Sequence, residues 1–324
     1  LDRIEKRQKI LETGATDYIL YPPEPNEVIK KVETYSEYHK LRLMSRNHDE
    51  KMKRLNEVLN EQRLIIEQKN QDFQDSISYA LSIQNSLLPS IEQIRTVFPE
   101  SFVYYKPRDV VSGDFYLFTV KNDTVIAIVA DCTGHGVPGA LLSVLGITIF
   151  NNLIEQSEIL DPAILLNRMD KELTHFLLSD EKIEQSQDGM DIAICAINLK
   201  NKSLKFSGSK HPLYLIRNNK LVVYQGSIFT VGGGLFHDTD SKEFFNTDIL
   251  LRKNDSLYMF SDGYIDQFGG KHSKKFLPRQ FKNLLMKINP KPLAEQKEIL
   301  SNTLEKWKGG QEQIDDILVM GLRI

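Results

Sequence analysis

Residues Thr124 to Ala130 read TVIAIVA, an unbroken apolar and β-branched run of the kind a strand carries when both of its faces are buried. Asp131 follows directly, then the turn Cys132-Thr133-Gly134-His135-Gly136, then an apolar stretch with Pro138 in the first turn of an expected helix. A carboxylate where a core strand ends, followed by glycines, is a poor choice for packing alone and points to a metal or a phosphate. The pattern recurs at Ser112-Gly113-Asp114, Ser261-Asp262-Gly263 and Ile314-Asp315-Asp316, each beside a hydrophobic strand. One such segment is an ordinary turn. Four carboxylates gathered at one sheet edge would repel each other by several kcal/mol at an effective dielectric of about 20. Divalent cations offset that repulsion, and an oxygen-only set without matching His or Cys favours Mg²⁺ or Mn²⁺ over zinc.

The surrounding pattern predicts an α+β fold. Strands are expected at Phe102–Lys106, Asp114–Val120, Val125–Ala130, Asp191–Asn198, Leu204–Ser207, Leu213–Arg217, Lys220–Tyr224, Phe244–Leu250, Ser256–Phe260 and Ile317–Leu322. Helices are expected at Pro138–Leu153, Pro162–Leu178, Pro278–Ile288 and Pro292–Lys308. Turns such as Asn201-Lys202 and Asn218-Asn219 are of hairpin length, so the pairing is mainly antiparallel. Two helical pairs set apart in sequence then cover a sheet sandwich on both sides.

At 324 residues the chain suits about two domains. Residues 1 to 40 begin with a helical pattern at Ile4, Ile10 and Leu11, break at Gly14, and continue as a short strand, a turn forced by Pro22, Pro23 and Pro25, and a helix. Residues 41 to 76 contain no Gly or Pro and predict a long exposed helix. Met52, Leu59, Ile66, Phe73, Ala80 and Leu87 recur every seven residues, although Gln62 and Lys69 intrude on the alternate core position. That seam reads as a coiled coil joining two copies, or as one amphipathic helix packed on its own domain. Residues 77 to 324 form the remaining domain, approached by the apolar helical segment 77–89. A net charge of −3 gives no reason to expect nucleic-acid binding. Two cysteines build no disulfide framework, which suits a cytoplasmic protein, and the apolar stretch from Ala140 to Phe150 falls short of a membrane span.

Two resemblances follow from the motifs. Gly14, Ala15, Tyr18 and Pro22 resemble the end of a response-regulator receiver domain of two-component signalling, with Tyr21 where that family has a lysine. The strands that would carry a phosphoacceptor are absent from the sequence, and an ordinary strand-turn-helix is the alternative. Residues 75 to 324 resemble the SpoIIE-like branch of the metal-dependent, PPM-type serine/threonine protein phosphatases. The match runs through Ile83-Gln84-Asn85-Ser86-Leu87-Leu88-Pro89, Val111-Ser112-Gly113-Asp114-Phe115, Asp131-x-x-Gly134-His135-Gly136, Gly189-Met190-Asp191, His211-Pro212, Ser261-Asp262-Gly263 and Asp315-Asp316. It implies an αββα sandwich with two divalent ions, Mn or Mg, at the edge of its sheets. By the same resemblance Asp131 bridges the metals, the Cys132 carbonyl adds a ligand, Asp262 and Asp315 complete one metal, Asp114 holds the other, and Asp316 supports them. Leu318, where threonine is frequent, and Asp266, where glutamate is usual, depart from the pattern without removing a ligand.

The implied activity is hydrolysis of phosphoserine or phosphothreonine on a signalling protein, a STAS-type anti-sigma-factor antagonist in a partner-switching system, regulated through the N-terminal helix of a homodimer. The alternative is a non-catalytic adaptor that keeps the fold as a phosphoprotein-binding surface. His135 either donates a proton to the leaving oxygen or fixes the glycine turn. Lys106 and Arg108 either steer the phosphate or lie along a solvated strand edge. Cys132 lacks the Cys-x5-Arg loop of cysteine phosphatases, since Pro138 stands six residues on. Gly232-Gly233-Gly234 lacks the spacing of a nucleotide loop, His175, His237 and His272 lack metal-ligand spacing, and Trp307 reads as core.

Overall fold

The computed structural model describes residues 9, 12–19, 21–158, 160–177, 188–233 and 242–324. The helical pattern expected at Ile4, Ile10 and Leu11, the Leu178 end of a helix, Gly234 and His237 lie outside the described residues. The chain divides into two compact units, Leu1–Phe73 and Gln74–Ile324.

The second unit carries two antiparallel sheets. One has the order β1 (Ser101–Lys106), β13 (Ile317–Arg323), β10 (Ser256–Phe260), β6 (Leu213–Arg217) and β7 (Lys220–Tyr224). The other runs β2 (Phe115–Lys121), β3 (Thr124–Cys132), β4 (Gly189–Asn198), β5 (Ser203–Ser209) and β9 (Thr247–Leu250), with β8 (Val231–Gly232) on the end of β4. The apolar run in β3 has a direct cause. Val125, Ala127 and Val129 fill the layer between the sheets, where they meet Leu318 and Met320 of β13. Ile126, Ile128 and Ala130 point to the other side, beneath helices α3 (Gly136–Gln156) and α4 (Pro162–Leu177). Period-two alternation therefore buries both faces, each large aliphatic side chain contributing about 1.5–3 kcal/mol. The outer face of the first sheet is covered by α6 (Leu277–Ile288) and α7 (Leu293–Lys308) through Phe281, Leu285, Leu300 and Leu304. The result is the αββα sandwich, with Trp307 packed edge-on against Phe276 in that outer layer; the short elements α2 (Ile91–Val97), α5 (Gly263–Asp266), β11 (Phe268–Gly269) and β12 (Lys274–Lys275) also belong to this unit.

Helix α3 begins at Gly136, two residues before the expected Pro138, because Gly134 at φ +81° turns the chain in a conformation open to glycine. By length and composition α3 could cross a membrane, contrary to the shorter apolar stretch expected. Its Ile147, Phe150 and Leu153 are buried in the core over β2 to β4, which accounts for its apolarity.

In the first unit, the short strand expected before Pro22 is not formed among the described residues, since no neighbouring strand offers a ladder. Thr16 to Ile19 instead lie along one long helix, α1 (Pro25–Leu87), where Lys31 pairs with Asp17 at 2.9 Å and Tyr35 Oη donates to the Thr16 carbonyl at 3.4 Å. Within this unit Met52, Leu55, Leu59, Ile66 and Phe73 are exposed on α1.

Candidate metal centre

Four loops meet at the same ends of the two sheets. Asp131 lies at the end of β3, opposite Asp191 of β4 in the ladder register. Asp114 directly precedes β2, Asp262 follows β10, and Asp315 and Asp316 precede β13. Contacts between the loops are close. Ser261 Oγ donates to Asp114 Oδ2 at 2.6 Å, joining the loop after β10 to the loop before β2. Asp316 accepts the backbone N–H groups of Arg108 and Gly113, both at 2.7 Å, and donates its own N–H to Asp315 Oδ1 at 2.9 Å. A Cβ on Gly113 would stand 2.7 Å from the Gly134 carbonyl and 3.3 Å from that of Cys132, so only glycine lets the Asp114 loop approach the Asp131 turn this closely.

The electrostatics are those of anions without counter-charge. Burial raises Asp114 well above the usual carboxylate range, and Asp316, Asp315 and Asp262 add to it against the Ser261 hydrogen bond. Asp131 is raised well above its ordinary value by burial and then by Asp114, Asp262, Asp315 and Asp191. Loss of surrounding solvent, then Asp315, pushes Asp262 up to about 6. Burial also raises Asp315, against its hydrogen bond from Asp316 and the nearby charges of His135 and Arg108. Among the described residues neither Asp114 nor Asp262 has a cationic side chain in ion-pair contact. Asp131 faces His211 Nε2 at 3.9 Å, and burial holds that imidazole down at about 4, neutral at physiological pH. As the side chains stand, no group of three or more His, Cys, Asp or Glu among the described residues encloses a metal position. The donor chemistry nonetheless fits a hard divalent cation: every candidate donor is an oxygen, and a buried carboxylate such as Asp114, with other carboxylates around it and no cationic partner, calls for one.

Burial pushes the Cys132 thiol well up, so it is no thiolate nucleophile. His135 precedes α3 and its Nδ1 lies 3.0 Å from Asp109 Oδ2, both side chains half-exposed. Arg108 is exposed, with its guanidinium donating to the Ile314 carbonyl at 3.0 Å. Lys106 pairs with Glu305 of α7. Asp109, Asp191, His211 and Ser261 also stand at the site, with no role that the sequence pattern alone assigns. Asp191 was signalled by its place opposite Asp131 once β3 and β4 pair; the others depend on contacts that no local pattern announces.

A sequence profile described as Stage II sporulation protein E (SpoIIE) matches residues 121–324, which include the loops of Asp131, Asp262 and Asp315. The chain belongs to the SpoIIE family. It is similar to the SiaA-PP2C domain of Pseudomonas aeruginosa at 31% identity and a TM-score of 0.71, over 79% of this chain and 98% of that one. The PP2C phosphatase domain of SpoIIE from Bacillus subtilis, with a fragment of its regulatory domain, shares the fold at 20% identity and a TM-score of 0.55, over 69% of this chain and 61% of that one. So do the RsbU and RsbW domains of a Mycobacterium tuberculosis protein, at 16% identity and a TM-score of 0.54, over 70% and 60%. No curated protein sequence matches the chain. Membership of the SpoIIE family makes this a PP2C-type serine phosphatase fold, a family that uses divalent metals.

Proposed function

We propose that this SpoIIE-family chain is a metal-dependent phosphatase that hydrolyses phosphoserine or phosphothreonine on a signalling protein. The observation that carries the reading is the meeting, at one end of the sandwich, of the loops of Asp114, which is buried, Asp131 and Asp315, which are half-buried, and Asp262, which is exposed, with all four carboxylates raised above their ordinary range. Asp114, Asp131, the Cys132 carbonyl, Asp262 and Asp315 would hold two divalent ions, Mn or Mg. Such ions supply Lewis-acid charge to the phosphoryl oxygens and make water a better nucleophile. The chain's own residues do the rest. Asp316 ties the loop that presents Asp114 to the segment that bears Asp315. Asp109 orients His135 through Nδ1, leaving Nε2 as the proton donor to the departing serine or threonine oxygen. Arg108, exposed beside Asp316, meets the incoming phosphate first, and Lys106 adds positive charge when it leaves Glu305.

The proposed substrate is a phosphorylated anti-sigma-factor antagonist of STAS type, in the cytoplasm, with activity set through α1 in a homodimer formed along its exposed apolar seam. Similarity to a structure that contains RsbU and RsbW domains supports a partner-switching setting. Residues 1 to 40 serve as a receiver-like input, 41 to 76 as the dimerising linker, and 77 to 324 as the phosphatase domain.

Phosphate release from a panel of phosphorylated STAS-type proteins tests the reading. Release is expected with Mn²⁺ and not with EDTA, and is abolished in Asp131→Asn and Asp262→Asn. Binding of a phosphoprotein with no turnover in Mn²⁺ or Mg²⁺ would contradict it and favour the adaptor.

A further inference from the structure

The last turns of α1 and the residue that follows cover one stripe, formed by the half-buried Ile77, Ala80, Leu81, Leu87 and Leu88 and the buried Gln84. This is the i, i+3, i+4, i+7 pattern of a docked helix, but its most buried member is an amide. Gln84 is 1% exposed. Its Nε2 donates to the Ser112 carbonyl at 2.6 Å and to Ser143 Oγ of α3 at 2.8 Å, and its Oε1 accepts the Ser112 N–H at 3.1 Å. Ser112 can offer only a donor at its nitrogen and an acceptor at its oxygen, so this pairing admits one orientation of the amide.

The loop it grips is the one that presents Asp114. Three successive backbone N–H groups there are accepted by side chains rather than by a strand: Ser112 by Gln84, Gly113 by Asp316, and Asp114 by Ser112 Oγ at 3.1 Å. Gln84 is thus the one link in that series supplied by the helix. Apolar neighbours such as Leu87 tolerate a small slide or rotation of the helix; a buried amide does not, because moving it leaves the donor and acceptor of Ser112 unpaired. One residue of helical slip turns the side chain by about 100°.

We infer that Gln84 is a positioning residue through which the register of the incoming helix sets the order of the Asp114 loop, and so its readiness to bind a divalent cation. The functional consequence rests on the phosphatase reading; the clamp itself does not. A helix docked in register holds Ser112 by both backbone groups and fixes Asp114 against Ser261 and Asp316. A helix shifted by its N-terminal input releases Ser112, and the loop loses its order with the sandwich intact.

The test compares the full chain with Gln84→Met, which fills the same space and keeps the stripe apolar, and with Asn85→Ala on the exposed side of the same turn. Hydrogen exchange of residues 110–116 in the metal-free protein is measured first, then the Mn²⁺ dependence of the melting temperature, then phosphate release. In Gln84→Met, exchange at residues 112–114 is expected to rise about tenfold or more, as befits amides that lose a buried acceptor, with other protected strands unchanged. The Mn²⁺ concentration for half-maximal stabilisation rises by about the same factor, while KM for the phosphoprotein at saturating Mn²⁺ is unchanged. Asn85→Ala behaves as wild type throughout. Wild-type exchange and Mn²⁺ dependence in Gln84→Met would overturn the inference, as would loss of protection spread across the whole domain in that variant. Absence of phosphate release from the wild type would overturn the proposed activity and leave the exchange result to decide the clamp.

Discussion

Asp170 and Asp131 are both acids inside the same sandwich, and their surroundings are opposite. Asp170 on α4 accepts from Lys242 Nζ at 3.1 Å and from the Gly232 N–H at 2.8 Å, and Lys242 in turn donates to the Gly232 carbonyl at 2.7 Å. Both side chains are almost wholly buried. Charge and hydrogen-bonding capacity are closed within the protein, so this pair pins α4 to β8. Asp131 faces a neutral histidine and further carboxylates. The same residue type is a fastening where the fold supplies its counter-charge, and a candidate ligand where the fold withholds it.

Breaking the closed pair should have the largest effect. Asp170→Ala leaves a buried ammonium alone and is expected to lower unfolding free energy by about 3–5 kcal/mol in urea titration. A loss under about 1 kcal/mol would erase the distinction between the two acids. Neutralising the open group should do the reverse. In EDTA near pH 7.5, Asp131→Asn is expected to melt a few degrees above wild type, because a carboxylate held against its preference is removed. The same variant loses the rise in Tm that Mn²⁺ gives the wild type.

The pH dependence has a definite sign. Raised folded-state values, such as about 6 for Asp262, mean that the contribution of these groups is fully present below the unfolded carboxylate range, near pH 4, and is lost as pH rises through the folded values. Asp161 behaves oppositely: burial opposes ionisation, but hydrogen bonds from Asn246 and Lys205 lower it, so its stabilisation is lost as pH falls. The metal-free protein is therefore expected to be most stable near about pH 5. It loses about 1 kcal/mol by about pH 7.5 through Asp262, discounted for that side chain's access to solvent. Mn²⁺ flattens this alkaline limb in calorimetric scans. The smallest effect belongs to the exposed α1 pair of Arg63 and Glu67, where Glu67→Gln should change stability by less than about 0.5 kcal/mol.

The parts of this contrast that could be read in the sequence are those written in periodicity. The two-faced burial of Thr124 to Ala130, the turn after Asp131 and the four acid-bearing strand ends all appear locally. What closes Asp170 lies far away, at Lys242, and looks in sequence like any surface lysine. Gln84 sits where an apolar residue would complete its stripe, and its purpose becomes visible only with Ser112 beside it. The strand expected before Pro22 failed for the opposite reason: its residues favour extension, yet a strand exists only with a neighbour. The expected start of α3 at Pro138 was late because the glycine turn through Gly134 and Gly136 delivers the chain into the helix two residues sooner.

Calorimetric titration of Mn²⁺ into the metal-free protein near pH 7.5, with Asp131→Asn alongside, tests the central claim most directly. Saturable binding to the wild type, lost in Asp131→Asn although that variant is folded and melts higher, is the expected result. Absence of binding, or binding of equal strength in both proteins, would contradict the assignment of these carboxylates as the metal centre.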